Sequence, residues 1–280
     1  MWHEACLYGI ISAYKMTEQL FTILAQYAPY YGEQTGYMLG PGMGTGMYGG
    51  ASVIGIGLIL LAGLVGGIVQ SRMQASMRQY SAEPAPLTGA QVARRMLAAH
   101  GLHDVQVTHT PGALTDHYNP VNRTVNLSDT VYAEATVAAM AVAAHECGHA
   151  VQHARNYAWL TLRSELVPLV NIGSRLGQIV LILGLILVAM GTGTTVAWIG
   201  LALFATTTVF ALVTLPVEFD ASRRALAWMQ SSGLANSAMH GQAGTALRWA
   251  AMTYVAAALS SIAMLVYYVL ILLNARSRNE

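Results

Sequence analysis

His145-Glu146-Cys147-Gly148-His149, inside the alanine-rich run VAAMAVAAHECGHAVQHA, is the part of the chain best equipped for chemistry. Residues four apart on a helix share a face, so His145 and His149 can present two imidazoles to one metal ion. Glu146 lies about one residue-step around from His145, where its carboxylate can reach an activated water rather than the metal. This is the H-E-x-x-H arrangement of zinc-dependent hydrolases. Cys147 points away from the two imidazoles and reads as a small packing residue.

A catalytic zinc takes three protein ligands and keeps one position open. His153 continues the register four residues past His149. Eight residues of helix rise about 12 Å, whereas ligand bonds are about 2.0–2.2 Å, so three donors in such a row cannot converge without strain. An extended motif of the metzincin type is absent, because Gln152 and Arg155 occupy the positions of its Gly and third His. Glu218, in TLPVEFDASRRAL, is the better third donor. Pro216 suits the start of a new helix, on which Glu218 and Ser222 share a face one turn apart. An acid in a first helical turn also interacts with the macrodipole, but the need for a third donor favours Glu218 as a ligand.

The elements that must position these residues are mostly apolar. The 280-residue chain is 55% hydrophobic and 10% charged, with a mean hydropathy of +0.46, which reads as a membrane protein. Its net charge of +1 and scattered basic residues give no basis for a nucleic-acid partner. Two cysteines, Cys6 and Cys147, suggest no disulfide framework. Four stretches meet the requirement of about 20 apolar residues for a bilayer span: 51–70, 166–190, 194–215 and 250–273. The second and third, joined by GTGTT, form a helical hairpin that carries Glu218 back to the side of the membrane holding His145 and His149. The apolar segment 131–150 reads as a buried catalytic helix rather than a span.

Between the first span and that helix, Thr88 and Gln91 form a capping box ahead of GAQVARRMLAAH, with Gly101 as its stop. DVQVTH and RTVNLS alternate polar and apolar residues and predict a β-hairpin around the turn-rich DHYNPVN. The strand at 123–128 is the expected edge for binding a peptide substrate as an added strand. Residues 1–50 lack a cleavable-signal pattern and carry the Gly/Met/Tyr-rich GYMLGPGMGTGMYGG, which predicts a flexible or interfacial extension with a helical stretch at 18–27. The predicted organisation is the extension 1–50, a span at 51–70, a catalytic region at 71–165, the transmembrane hairpin 166–215, the ligand-bearing helix 216–249, a last span at 250–273 and a charged tail at 274–280.

LTDHYNP, AVAAHECGHAVQ, TLPVEFDASRRAL and AAMTYVAAA occur in that order, and with them the chain resembles the YugP-like family of bacterial membrane zinc metallopeptidases. The resemblance runs from about the first span to the C-terminus and leaves out residues 1–50. It is similar more distantly to the HtpX and CAAX-prenyl-protease groups, whose zinc site is completed by a Glu on a later helix. The resemblance implies a mainly α polytopic membrane protein with a small α+β zincin-like region around the H-E-x-x-H helix. It implies one catalytic Zn2+ held by His145, His149 and Glu218, with Glu146 as general base. The distant groups place an Asp four residues past the ligand Glu; here that position is Ser222, with Asp220 as a substitute orienting group.

The expected activity is zinc-dependent endopeptidase chemistry on a protein or peptide substrate, membrane proteins among them, with no covalent intermediate. His117, Tyr118, His240 and Tyr254 are the candidate donors to the developing oxyanion, and spacing does not select among them. The competing reading is a metal-binding membrane scaffold or pseudoprotease without hydrolysis. Arg72, Arg78, Arg163, Arg223, Arg224 and Arg248 flank the spans on one side, so the positive-inside rule places the site at the cytoplasmic face of the bacterial membrane with both termini outside. No oligomeric state is assigned.

Overall fold

A computed structural model describes residues 50–276. The extension expected at 1–50, with its helical stretch at 18–27, lies outside the described residues except for Gly50, and so do residues 277–280 of the tail. The described chain is mainly α, in the order α1 (Gly50–Ser81), α2 (Gly89–Ala99), β1 (Gln106–His109), β2 (His117–Asn119), β3 (Thr124–Leu127), α3 (Asp129–Ala133), α4 (Val137–Ala154), α5 (Ala158–Ala189), α6 (Thr195–Ser231) and α7 (Ser237–Arg276).

Four of these helices, α1, α5, α6 and α7, are long and apolar enough to cross a membrane, and the protein is a multi-pass membrane protein. The helices are longer than the predicted spans because polar turns extend them without a break. Pro216 does not open a new helix as predicted; it lies inside α6, which runs unbroken from Thr195 to Ser231. A proline removes one backbone donor, and a long helix in an apolar setting tolerates that loss. The segment predicted as one helix at 131–150 is instead divided between α3 and α4. Thr136, in extended conformation, caps α4 through its side chain, which accepts from the Ala139 amide.

The residues separate into two compact units. One comprises Gly67–Glu165 and Leu212–Val255. Its core packs α2 against α4 and β3: Val92, Ala93 and Met96, Val125 and Leu127, and Met140, Ala143, Ala144 and Cys147 are fully buried with Met229 of α6. The capping box of α2 forms as predicted, with the Thr88 side chain accepting from Gln91 and the Gln91 side chain accepting from the Thr88 amide. Gly101, at φ +73°, turns the chain away after His100.

The sheet differs from the predicted hairpin. Its order is β1-β3-β2, with β1 parallel to β3 and β2 antiparallel to it. The two alternating segments do pair, but side by side in parallel. The antiparallel partner is a short strand hidden in DHYNPVN, where Asn and Pro conceal it as turn signal. A parallel return needs a connection of a dozen or more residues, and the segment containing β2 supplies it. β3 is paired on both sides, so the strand at 123–128 has no free edge for a substrate; the edges are β1 and β2.

The second unit contains the described residues up to Gly66, Leu166–Ala211 and those from Ala256 onward. Within it α5 and α6 form the predicted hairpin, turning through Gly191 (φ +74°) and Gly193 (φ +113°). Small residues let the two backbones touch: a Cβ on Gly184 would lie 2.3 Å from the Ala197 backbone. Such close approach is the usual basis of helix association in lipid, where no hydrophobic force acts between helices.

Candidate metal centre

The candidate site residues lie in the first unit, on α4, the adjoining start of α5, the later part of α6 and strand β2. α4 meets α6 at Gly148, where a Cβ would come within 2.5 Å of the Ala221 carbonyl oxygen. Only hydrogen at that position lets the helices approach this closely, and the approach sets the residues flanking Gly148 against those flanking Ala221.

His145, His149 and Glu218 come together there, with one ligand atom from each and all three atoms within 4.8 Å of one another. Glu218 Oε2 lies 3.3 Å from His145 Nε2 and 3.7 Å from His149 Nε2. Donors about 2.0–2.2 Å from a tetrahedral ion stand about 3.3–3.6 Å apart, so the two carboxylate–imidazole spacings are close to those around one small cation. Two imidazoles and a carboxylate are a donor set suited to zinc. Arg163, in the first turns of α5, binds the other carboxylate oxygen, with Nη1 3.3 Å from Oε1. Glu218 is thereby turned so that a single oxygen faces the imidazoles.

The remaining ring nitrogens are also engaged. His145 Nδ1 is 3.1 Å from Ser222 Oγ. His149 Nδ1 is 3.0 Å from the Gln152 side-chain oxygen, and the Gln152 amide nitrogen donates to the Val217 carbonyl at 2.8 Å and to Asp220 Oδ2 at 2.9 Å. Ser222 therefore occupies the orienting position beside His145 itself, and Asp220 does not replace it there. Asp220 is bound in turn by Arg223 and Arg224.

Glu146 is buried, and its Oε2 accepts from the Tyr118 backbone N–H at 3.0 Å. Burial, reinforced by Asp116 and Glu218, raises its carboxyl to about 7 against the pull of His145. Burial lowers His149 to about 4, leaving a neutral ring with a lone pair to offer. His145 moves the other way: burial disfavours its cation, but the bond to Glu218 and the Glu146 charge outweigh that and raise it. The difference follows the distances to Glu218, which is nearer His145.

His153 lies outside this cluster, its Nδ1 2.8 Å from the Tyr118 hydroxyl. Cys147 faces the core, with Sγ 3.6 Å from the Ala93 carbonyl and its thiol raised well above the usual range by burial. Of the four oxyanion candidates, His117 Nδ1 contacts the Thr115 carbonyl at 2.8 Å and His240 Nε2 lies 3.3 Å from the Leu226 carbonyl. Tyr118 approaches the site through its backbone, and Tyr254 is half-buried on α7. The sequence marked Arg163 only as a residue near a span end and Gln152 only as the position of a metzincin Gly, with no role at the site for either. Gln152 carried a signal, since it lies one turn past His149, whereas nothing in its spacing marks Arg163.

A family model described as "Putative neutral zinc metallopeptidase" matches residues 55–273. The chain is also similar to the "Putative membrane protease YugP" of Bacillus subtilis (strain 168), at 40% identity over 212 residues, which covers 75% of this chain and 92% of that one. No solved structure matches the chain.

Proposed function

The chain belongs to the neutral zinc metallopeptidase family, and from that premise we propose that it hydrolyses peptide bonds at a zinc ion held by His145, His149 and Glu218, with Glu146 as general base. The observation that carries this is the convergence of three donor atoms within 4.8 Å beside a buried carboxylate. Bound zinc supplies a Lewis acid for the scissile carbonyl and makes water acidic near neutral pH. Glu146, held through one oxygen by the Tyr118 amide, takes a proton from the attacking water and returns it to the departing amine. Its raised pKa suits that exchange, because a base near the working pH can both accept and release the proton. No covalent attachment to the chain is required.

The same reading places a protein or peptide substrate along β2 rather than at 123–128. β2 is an edge strand whose Tyr118 amide touches Glu146, so an extended peptide beside it would bring its backbone to the base. Residues 71–165 and 216–249 form the catalytic part, and 51–70, 166–215 and 250–273 form the membrane part. The active site faces the cytoplasm of a bacterial cell, supported by Arg72, Arg78, Arg163, Arg223, Arg224 and Arg248 near the span ends.

The test is zinc content and casein hydrolysis of the detergent-purified protein, with hydrolysis lost to a chelator and restored by zinc. Stoichiometric zinc without hydrolysis favours a metal-binding scaffold or pseudoprotease. Orientation is read separately in intact cells after replacing Cys6 and Cys147. Single cysteines at Ser81 and Ser232 should resist an impermeant thiol reagent and one at Ser277 should react, and the reverse pattern would put the site on the outer face.

A further inference from the structure

Gln152 is fully buried on α4, one turn past His149, yet it has no apolar role to justify burial. Every hydrogen bond its side chain makes points at the metal centre or at what supports it. Its amide nitrogen faces two groups that can only accept, the Val217 carbonyl at 2.8 Å and the Asp220 carboxylate at 2.9 Å. The nitrogen and oxygen of the amide are therefore assigned, and the oxygen is the atom 3.0 Å from His149 Nδ1. A carbonyl oxygen cannot donate, so His149 must carry its proton on Nδ1. Its Nε2, 3.7 Å from Glu218, is then the lone-pair nitrogen.

His145 is not held in this way. Its Nδ1 partner, Ser222 Oγ at 3.1 Å, can donate or accept, and so does not dictate a tautomer. The fixed charge behind Gln152 is Asp220, bound by Arg223 and Arg224 on the same helix.

We infer that Gln152 is the positioning residue of His149, an amide relay by which Asp220 fixes the tautomer and ring orientation that His149 presents to the metal. Gln152 touches neither metal nor substrate, and the inference rests on the proposed zinc site. Helix α4 thus carries the ligand His149 and its orienting group one turn apart, while α6 carries Glu218 and the carboxylate that aims that group. Loss of such an outer partner typically weakens metal binding about 10–100-fold.

The experiment measures the zinc dissociation constant of the full chain in detergent, by competition with a chromophoric chelator, together with the visible spectrum of the cobalt-substituted protein. The proteins compared are the parent, Gln152→Met, Asp220→Asn, the double variant, and His149→Ala as the reference for ligand loss. Gln152→Met should weaken zinc binding about 10–100-fold and alter the cobalt bands. Asp220→Asn should weaken it about 3–10-fold in the parent and less than about twofold in the Gln152→Met background, because a relay is broken once. Parental affinity in Gln152→Met, or an equal effect of Asp220→Asn in both backgrounds, overturns the inference. If Gln152→Met is not recovered folded, Asp220→Asn decides alone, and parental affinity and spectrum in it overturn the inference. A parent that binds no zinc refutes the zinc site itself, whereas a zinc-binding parent with indifferent variants refutes only the relay.

Discussion

Gly148 and Ala221 meet backbone to backbone: a Cβ on the glycine would lie 2.5 Å from the alanine carbonyl oxygen and 3.1 Å from its Cα. Gly148 stands between the two histidines in sequence, and Ala221 lies one residue before Ser222 and three after Glu218. The contact therefore sets how far the carboxylate stands from the imidazoles. Gly148→Ala should push α4 and α6 apart, costing about 1–3 kcal/mol as overpacking does, and should lower zinc occupancy. Thermal unfolding and metal analysis of the purified variant check this; parental values for both would mean that the helices yield without disturbing the site.

Glu218 separates two roles with different consequences. A ligand removed should cost metal and activity together, whereas an acid serving only the helix dipole is worth about 0.3–1 kcal/mol. Its place inside the long helix α6, rather than at a helix start, removes the dipole role. Glu218→Ala should lose zinc and hydrolysis, while His153→Ala, which removes the partner of the Tyr118 hydroxyl, should keep both. Metal content measured beside peptide cleavage checks the pair, and a zinc-replete, active Glu218→Ala would remove Glu218 from the donor set.

The pH profile carries the signature of Glu146. A buried carboxyl raised to about 7 is half ionised there and mostly protonated below, so base activity falls as pH drops through that value. A bound cation favours the carboxylate and shifts the fall downward. The acid limb of kcat/KM should therefore lie between about pH 5 and 7, above the ordinary glutamate value of about 4.3. A limb at or below that ordinary value would show that burial does not control the base.

How far the sequence could be read depended on the length of the signal. The H-E-x-x-H helix and the four long apolar helices were legible because each rests on a repeat spacing or an extended run, as was the capping box at Thr88 and Gln91. Strand β2 was not, because His117-Tyr118-Asn119 is too short to show alternation and ends at a proline. Pro216 was read as a boundary because a proline usually breaks a helix in water, and the continuity of α6 overrides that local preference. The contacts of Arg163 and Gln152 with α6 were not legible, because neither residue has a spacing that predicts a partner on Glu218 or Asp220.

The role of Glu146 is the centre of the account, and one variant tests it directly. Glu146→Gln keeps the shape of the side chain and an oxygen for the Tyr118 amide, but removes the proton acceptor. The purified variant should retain nearly full zinc while peptide hydrolysis falls by at least the roughly 10²–10⁴-fold typical of general-base loss. Substantial zinc loss would make Glu146 part of the metal-binding set, and undiminished hydrolysis with full zinc would contradict its assignment as the base.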